Sequence, residues 1–425
     1  MNWESIVVPR TAETVYYGVH ASGLPIYVFP KAGYSSAYAV IAARYGSVDT
    51  TFEVDGKLLE VPAGIAHYLE HKLFENEDCD AFEKYAVTGA SANAYTGFSQ
   101  TAYLFSCTEN TEASLRILLD FVQNPYFTDE NVEKERGIIG QEIRMCEDDP
   151  ERLAMFNVLQ MLYKQHPVRV DIAGTVDSIA KITPALLYDC YRTFYNLHNM
   201  VLVVSGNVST EMVQAVADET LRPAAPFTLE RRQVEEPQKP VETYREAVMP
   251  VSSPLFYIGF KEPTTAGYLH TAEELMAAEL LLELLVGRGS ALYTRLMEEG
   301  LINETFGGGY FEGNGYATYL FSGESEDPQA VKTLLLEEID RFLRDGIDEV
   351  RFEEERNAMY GRLIAGLNDV ENCGDWIVDD HFYGRKPFQL IDSVAKLDVQ
   401  SVYRALQIGL QADAMAMSVV LPIAE

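Results

Sequence analysis

SANAYTGFSQTAYLFSC (91–107) and GGGYFEGNGYATYLFSG (307–323) are the stretches on which the fold of this chain turns. In each, apolar and polar residues alternate on both sides of a short turn, the pattern of a β-hairpin or strand pair. The first closes on AYLFSC and the second on TYLFSG. Each is followed by a helical segment, TEASLRILLDFVQNP (111–125) and DPQAVKTLLLEEIDRFLRDG (327–346). A charged helix then opens at DENVEKERGIIGQEI (129–143) in the first half and DEVRFEEERNAMYGRLIAGL (348–367) in the second. Glu135-Arg136 and Glu355-Arg356 fall at matching places, so the same anchors recur in the same order, as duplication of one unit produces. Clustered strands with helices between and after them predict an α+β class: two homologous domains, each an antiparallel sheet with helices packed on one face.

The rest of the chain fits two such units. Its 425 residues exceed one ordinary core and suit two domains. PAAPFTLERRQVEEPQKPVETYR (223–245) has four prolines and no apolar periodicity, and reads as a linker between domains at 1–222 and 246–425. Lys and Arg number 33 against 65 Asp and Glu, a net charge of −32, which repels phosphate backbones and argues against nucleic acid. A membrane partner is not expected. MNWESIVVPRTAETVYYG lacks a basic segment followed by an apolar one, and AEELMAAELLLELLVG (272–287) is interrupted by glutamates and too short to span. Five widely spaced cysteines with no C-x-x-C argue against disulfides or a cysteine metal cluster, and the expected compartment is the cytoplasm.

The chemistry is concentrated in AGIAHYLEHKLFE (63–75), where His67, Glu70 and His71 form H-x-x-E-H. On a helix, positions i and i+4 share a face and i+3 is their neighbour. Two imidazoles so placed can hold one Zn²⁺, with the glutamate close enough to take a proton from water at the site. Chance produces H-x-x-[DE]-H on the order of 0.02 times in a chain with seven histidines and 65 acidic residues. Ala63, Ile65, Ala66, Leu69, Leu73 and Phe74 make this helix apolar around the three polar residues, which then need partners once buried. A zinc hydrolase needs a third protein ligand. Glu75 lies a further turn down the same helix. Glu142 sits among Ile138, Ile139 and Ile143, with Glu135 two turns earlier on the same face. Spacing favours Glu142, with one of this pair as ligand and the other as its orienter.

HYLEH followed by ERGIIGQE, inside two matching halves, resembles the M16 family of zinc metallopeptidases, which includes pitrilysin, insulin-degrading enzyme and the mitochondrial processing peptidase. Its pattern is H-x-x-E-H with E-x₆-E some way downstream, and here Glu142 follows His71 by 71 residues (142 − 71). IAGTVDSIAKITPALLYDCYRTFYNLHNMVLVVSGNV (172–208) resembles another segment of the family. Within it, GIAHYLEHKLFE and VEKERGIIGQEI are most similar to the zinc-bearing member of paired bacterial M16 proteins. The resemblance implies that His67, His71 and Glu142 bind one Zn²⁺, that Glu70 is the general base, and that Glu135 is an auxiliary acid. It also implies that GASANAYT (89–96) is a sheet edge on which an extended peptide lies, with Ala92, Asn93 and Ala94 as substrate-binding candidates.

One departure bears on partners. Family members carry an Arg and a Tyr in L-R-E-x-x-G-L-A-Y of the second half. Here SALYTRLMEEGLINETFG (290–307) puts Met297 and Asn303 at those positions, with Arg295 and Tyr293 out of register. The second half has no H-x-x-E-H, and its counterpart of Glu142 is Arg362. The expected function is therefore a zinc-dependent endopeptidase subunit that works inside a dimeric, half-clamshell chamber. The expected partner is a related M16 chain that supplies the Arg/Tyr pair, or a second copy. The alternative is a structural or peptide-capturing subunit. GRGSA (287–291) and GGGYFEGNG (307–315) are not phosphate loops, His20, His166, His198, His270 and His381 are expected to pack or face solvent, and the acidic runs ENEDCD (75–80) and DEVRFEEE (348–355) read as solvated faces or turns.

Overall fold

The structure, a computed structural model, describes residues 1–77 and 79–423, so Asp78 of the acidic run 75–80 lies outside the described residues. Contacts divide the chain into two compact units.

The first unit is made of Met1–Ile143, Asp171–Arg232 and Ile364–Gln389. Its main sheet uses β1 (Glu4–Val7), β2 (Thr14–Val19), β3 (Pro25–Pro30), β4 (Ala37–Ala43), β7 (Ser91–Thr96), β8 (Thr101–Cys107) and β9 (Met200–Gly206). Their order is β1-β2-β3-β9-β4-β8-β7, so the hairpin read from 91–107 is present and β7 is an edge. Every residue of β4 and β9 is buried. Ala37, Ala39, Ile41 and Ala43 face the main core with Leu202 and Val204. Tyr38 and Ser205 meet the helix Val370–Phe382 instead: Tyr38 Oη donates to Asp375 Oδ1 at 2.7 Å, and Ser205 Oγ donates to Val370 O at 2.5 Å. Helices therefore cover both faces of this sheet, not one, which is why its central strands are apolar throughout rather than alternating.

A small sheet in the same unit has the order β10-β5-β6, from β5 (Thr51–Val54), β6 (Lys57–Glu60) and β10 (Leu229–Arg231). β10 lies in the proline-rich stretch, and Arg231 Nε donates to buried Asp49 Oδ1 at 2.8 Å.

The second unit is made of Arg144–Val170, Gln233–Leu363 and Leu390–Glu425. β11 (Tyr244–Met249), β12 (Leu255–Lys261), β13 (Gly307–Gly313), β14 (Tyr316–Glu324) and β15 (Met415–Pro422) pair in the order β11-β15-β12-β14-β13. The hairpin read from 307–323 is β13–β14. The helix Pro150–Leu162 packs on β12 and β15. Glu236 anchors the end of the proline-rich stretch here, accepting from the backbone N–H of Gln165 and of His166 at 2.8 Å each and pairing with buried Lys261.

Both sheets are mixed rather than purely antiparallel. β3 runs parallel to β9, and β11 runs parallel to β15. In each case further strands and helices separate the two members of the pair, so the chain has length enough to return and enter from the same end as its neighbour, as parallel pairing requires. Among the described residues no helix is long and apolar enough to cross a membrane.

Candidate metal centre

Backbone geometry starts the helix that carries the motif. Gly64 caps α1 (Ile65–Leu73) at φ 89°, and a Cβ there would lie 2.4 Å from Ala173 O. Gly174, φ 76°, makes the reciprocal approach, its Cβ position 2.5 Å from Ala63 O. Ile65, Ala66, Tyr68, Leu69 and Leu73 face the core. His67, Glu70 and His71 occupy the remaining stripe, as the 3.6-residue period dictates. The helix Asp129–Glu147 buries Val132, Ile139 and Ile143, and Tyr68 Oη donates to Val132 O, which ties the two helices together.

This brings three of the predicted residues side by side. His67 Nε2 lies 3.4 Å from Glu142 Oε1, and His71 Nε2 lies 3.6 Å from Glu142 Oε2. Among the described residues, this is the one group of three His, Cys, Asp or Glu whose ligand atoms converge within 4.8 Å. The donors suit zinc. Tetrahedral ligation at about 2.0–2.1 Å puts neighbouring donor atoms about 3.3–3.5 Å apart. The 3.4 Å spacing falls in that range, the 3.6 Å spacing lies just beyond it, and both exceed a good N–H···O hydrogen bond. His67 Nδ1 is buried with no hydrogen-bond partner, so the Glu142-facing nitrogen is this ring's one polar outlet.

Glu135 does something different from Glu142. Its Oε1 accepts from His71 Nδ1 at 3.1 Å, which assigns that proton and leaves Nε2 unprotonated toward Glu142 when the ring is neutral. Burial opposes protonation of His71, but the hydrogen bond to Glu135 and the charges of Glu70, Glu135 and Glu142 prevail, and its pKa is raised. For Glu135, burial pushes the pKa up, and the His71 hydrogen bond and charge outweigh it, so the carboxyl titrates lower than usual. Glu75 has turned away to pair with the fully buried Lys72.

Glu70 is 8% exposed, and its Oε2 accepts from Thr96 Oγ1 at 2.7 Å. Thr96 was not among the expected site residues. The only sequence signal for it is its place as the last residue of the NAYT run. Ala92, Asn93 and Ala94 lie on edge strand β7, opposite Phe105, Leu104 and Tyr103 of β8. Ala92 and Ala94 turn to the core while Asn93 is exposed and accepts from the Ala94 N–H at 2.9 Å.

In the second unit Met297 is 39% exposed, and Asn303 Nδ2 donates to Glu324 Oε2 at 2.7 Å. Arg295 Nε bonds Glu299 Oε1 at 2.8 Å, Tyr293 is buried, and Arg362 Nη2 bonds Glu283 Oε1 at 2.7 Å. His270 has carboxylate neighbours that its local sequence did not reveal, Glu262 at 3.1 Å and Glu312 at 3.6 Å. Burial lowers its pKa, but the two carboxylates overcome this and raise it to about 9.

Comparison with known proteins meets this geometry. Residues 56–176 match the family described as Insulinase (Peptidase family M16), and residues 181–359 match the Peptidase M16 inactive domain. The chain belongs to peptidase family M16. It is 39% identical over 421 residues to the uncharacterized zinc protease YmfH of Bacillus subtilis, covering 96% of this chain and 97% of that one. The crystal structure of an M16-like peptidase from Alicyclobacillus acidocaldarius superposes with a TM-score of 0.93 at 36% identity, over 100% of this chain and 99% of that one. Pitrilysin shares the fold, with a TM-score of 0.76 at 16% identity, and the match spans 99% of this chain and 46% of pitrilysin. The α+β fold expected from the paired hairpins is thus that of M16 proteins, and the relatives named above 30% identity over most of the chain are a zinc protease and an M16-like peptidase.

Proposed function

We propose that this M16 chain is the zinc-bearing subunit of an endopeptidase. The observation that carries the reading is the convergence of His67, His71 and Glu142 beside a nearly buried Glu70. Zinc held by those three residues would supply Lewis acidity to a peptide carbonyl and lower the pKa of water. Glu70 takes the proton of the attacking water and delivers it to the leaving amine. Glu135 holds the His71 ring through Nδ1. The peptide lies along β7 as an added strand, its backbone bonded at the open edge near Ala92, Asn93 and Ala94.

The partner we propose is a related M16 chain that contributes the Arg and Tyr absent at Met297 and Asn303, the two enclosing a chamber that excludes water; a homodimer is the alternative. We place the protein in the cytoplasm, from its cysteine usage, and take 1–222, 223–245 and 246–425 as the boundaries of the repeated segments and their linker. A capturing subunit without cleavage is the second reading, favoured by the missing Arg/Tyr pair. One paired experiment separates them. His71→Ala should lose most of about one bound zinc per chain, measured by elemental analysis. Glu70→Gln should keep zinc and abolish cleavage of a quenched fluorescent peptide. No zinc uptake by the wild type would sink the metal assignment, and zinc without cleavage in any assembly would favour capture.

A further inference from the structure

We propose that Thr96 is the positioning residue for Glu70, so that the strand offered to substrate also aims the base. This rests on the reading of Glu70 as general base. An ionised carboxylate only accepts hydrogen bonds, so in the 2.7 Å contact Thr96 Oγ1 donates and Glu70 Oε2 accepts. The proton of the neighbouring Thr101 hydroxyl goes to Tyr45 O at 2.8 Å, and Thr101 is fully buried, so nothing stronger competes for the Thr96 hydroxyl. Thr96 thus occupies Oε2 and leaves Oε1 for a water. A free glutamate side chain samples several rotamers, and holding it in one costs entropy. Threonine, stiff at χ1, is well suited to stop that motion.

Thr96 is also the last residue of β7, paired with Thr101, the first of β8. Ala92 and Asn93 lie on the same six-residue strand. A peptide that adds to this edge therefore bonds a backbone whose end holds the base. Glu70 is set by the strand as much as by its own helix.

The second unit offers an internal control. Ser91 pairs with Ser106 as Gly307 pairs with Ser322, so Thr96 corresponds to Glu312. That unit has no H-x-x-E-H, and the position holds a carboxylate, which cannot donate to a base and lies 3.6 Å from His270 instead. The hydroxyl stands only in the unit that carries the glutamate it serves.

The test compares wild type, Thr96→Val, Thr96→Ser and Glu70→Gln, each as the full chain, alone and with a related M16 chain, on a quenched fluorescent peptide library. Valine keeps the shape and removes the donor. Thr96→Val should keep wild-type zinc content and KM while kcat falls about tenfold or more, since a hydrogen bond to a charged group is lost. Thr96→Ser should recover kcat to within about threefold, because it restores the donor. A Thr96→Val enzyme with wild-type kcat, or a serine variant as poor as valine, overturns the positioning role while Glu70→Gln inactivity leaves the endopeptidase reading standing. If wild type cleaves nothing in either assembly, the endopeptidase reading fails by itself. Crystal structures then decide Thr96: a Glu70 carboxylate spread over several rotamers in Thr96→Val supports it, and an unmoved one overturns it.

Discussion

Replacing Gly64 by alanine tests whether backbone geometry, rather than side-chain contact, fixes the start of the helix that carries His67. At φ 89° an L-residue costs about 1–2 kcal/mol. The new Cβ would also lie 2.4 Å from Ala173 O and 2.9 Å from its carbonyl carbon. Both are backbone atoms, and the facing Gly174 is equally tight against Ala63 O, so relief requires moving one chain segment off the other. Overpacking of this kind costs about 1–3 kcal/mol. Against these terms, alanine narrows the unfolded ensemble by about 0.4–1 kcal/mol. The strain terms win, and the expected net loss is about 1–4.5 kcal/mol. Trp3 and Trp376, the chain's two tryptophans, both belong to the first unit, so their fluorescence in urea follows that unit. The midpoint should fall with the slope unchanged. Zinc affinity should fall with it, because His67 sits one turn into the displaced helix. A Gly64→Ala protein within about 0.5 kcal/mol of wild type would refute the argument, since surface-like substitutions stay in that range.

The remaining predictions concern charge and assembly. In zinc-free protein, His71 is raised from its ordinary 6.5 and Glu135 is lowered from 4.5, so each stabilises the fold through the other. The glutamate contribution is present above its unfolded pKa and lost on acidification; the histidine contribution is present below its unfolded pKa and lost as pH rises through the raised folded value. Glu135→Gln should therefore destabilise the metal-free protein more near pH 5.5 than near pH 9, measured by urea unfolding; equal cost at both would mean that His71 and Glu135 are not coupled. Cleavage by this chain alone should be weak and rise at least about tenfold when a related chain bearing the Arg/Tyr pair is added, given what water exclusion and placed donors contribute. Full activity from a demonstrated monomer would show that Met297 and Asn303 cost nothing.

Much of this arrangement was legible in local sequence. Alternation around 91–107 and 307–323 predicted two hairpins, and both are formed. The H-x-x-E-H spacing and the seven-residue step from Glu135 to Glu142 predicted residues that share a face; in the structure His67, His71 and Glu142 converge, and Glu135 bonds His71. What escaped was long-range. The parallel pairs β3–β9 and β11–β15 join segments more than 170 residues apart, and neither strand's local sequence names so distant a neighbour. The proline-rich stretch 223–245 has no apolar period, and the polar contacts of Arg231 with Asp49 and of Glu236 with Lys261 that hold it join residues far apart in sequence. Thr96 was hidden for the same reason: a hydroxyl does not advertise a carboxylate 26 residues away.

The helix Val370–Phe382, which covers Tyr38 and Ser205, comes from the far end of the chain. As the polypeptide emerges from the ribosome, all seven strands of the zinc-motif sheet are complete at residue 206, yet one face of β4 and β9 stays bare until residue 382 is out. At roughly 5–20 residues per second, that apolar face is uncovered for on the order of ten to thirty seconds. The nascent chain is therefore sticky during this interval, which a chaperone could shield. A fragment ending near residue 222, however well it encodes the metal ligands, would be left permanently in that state and should aggregate.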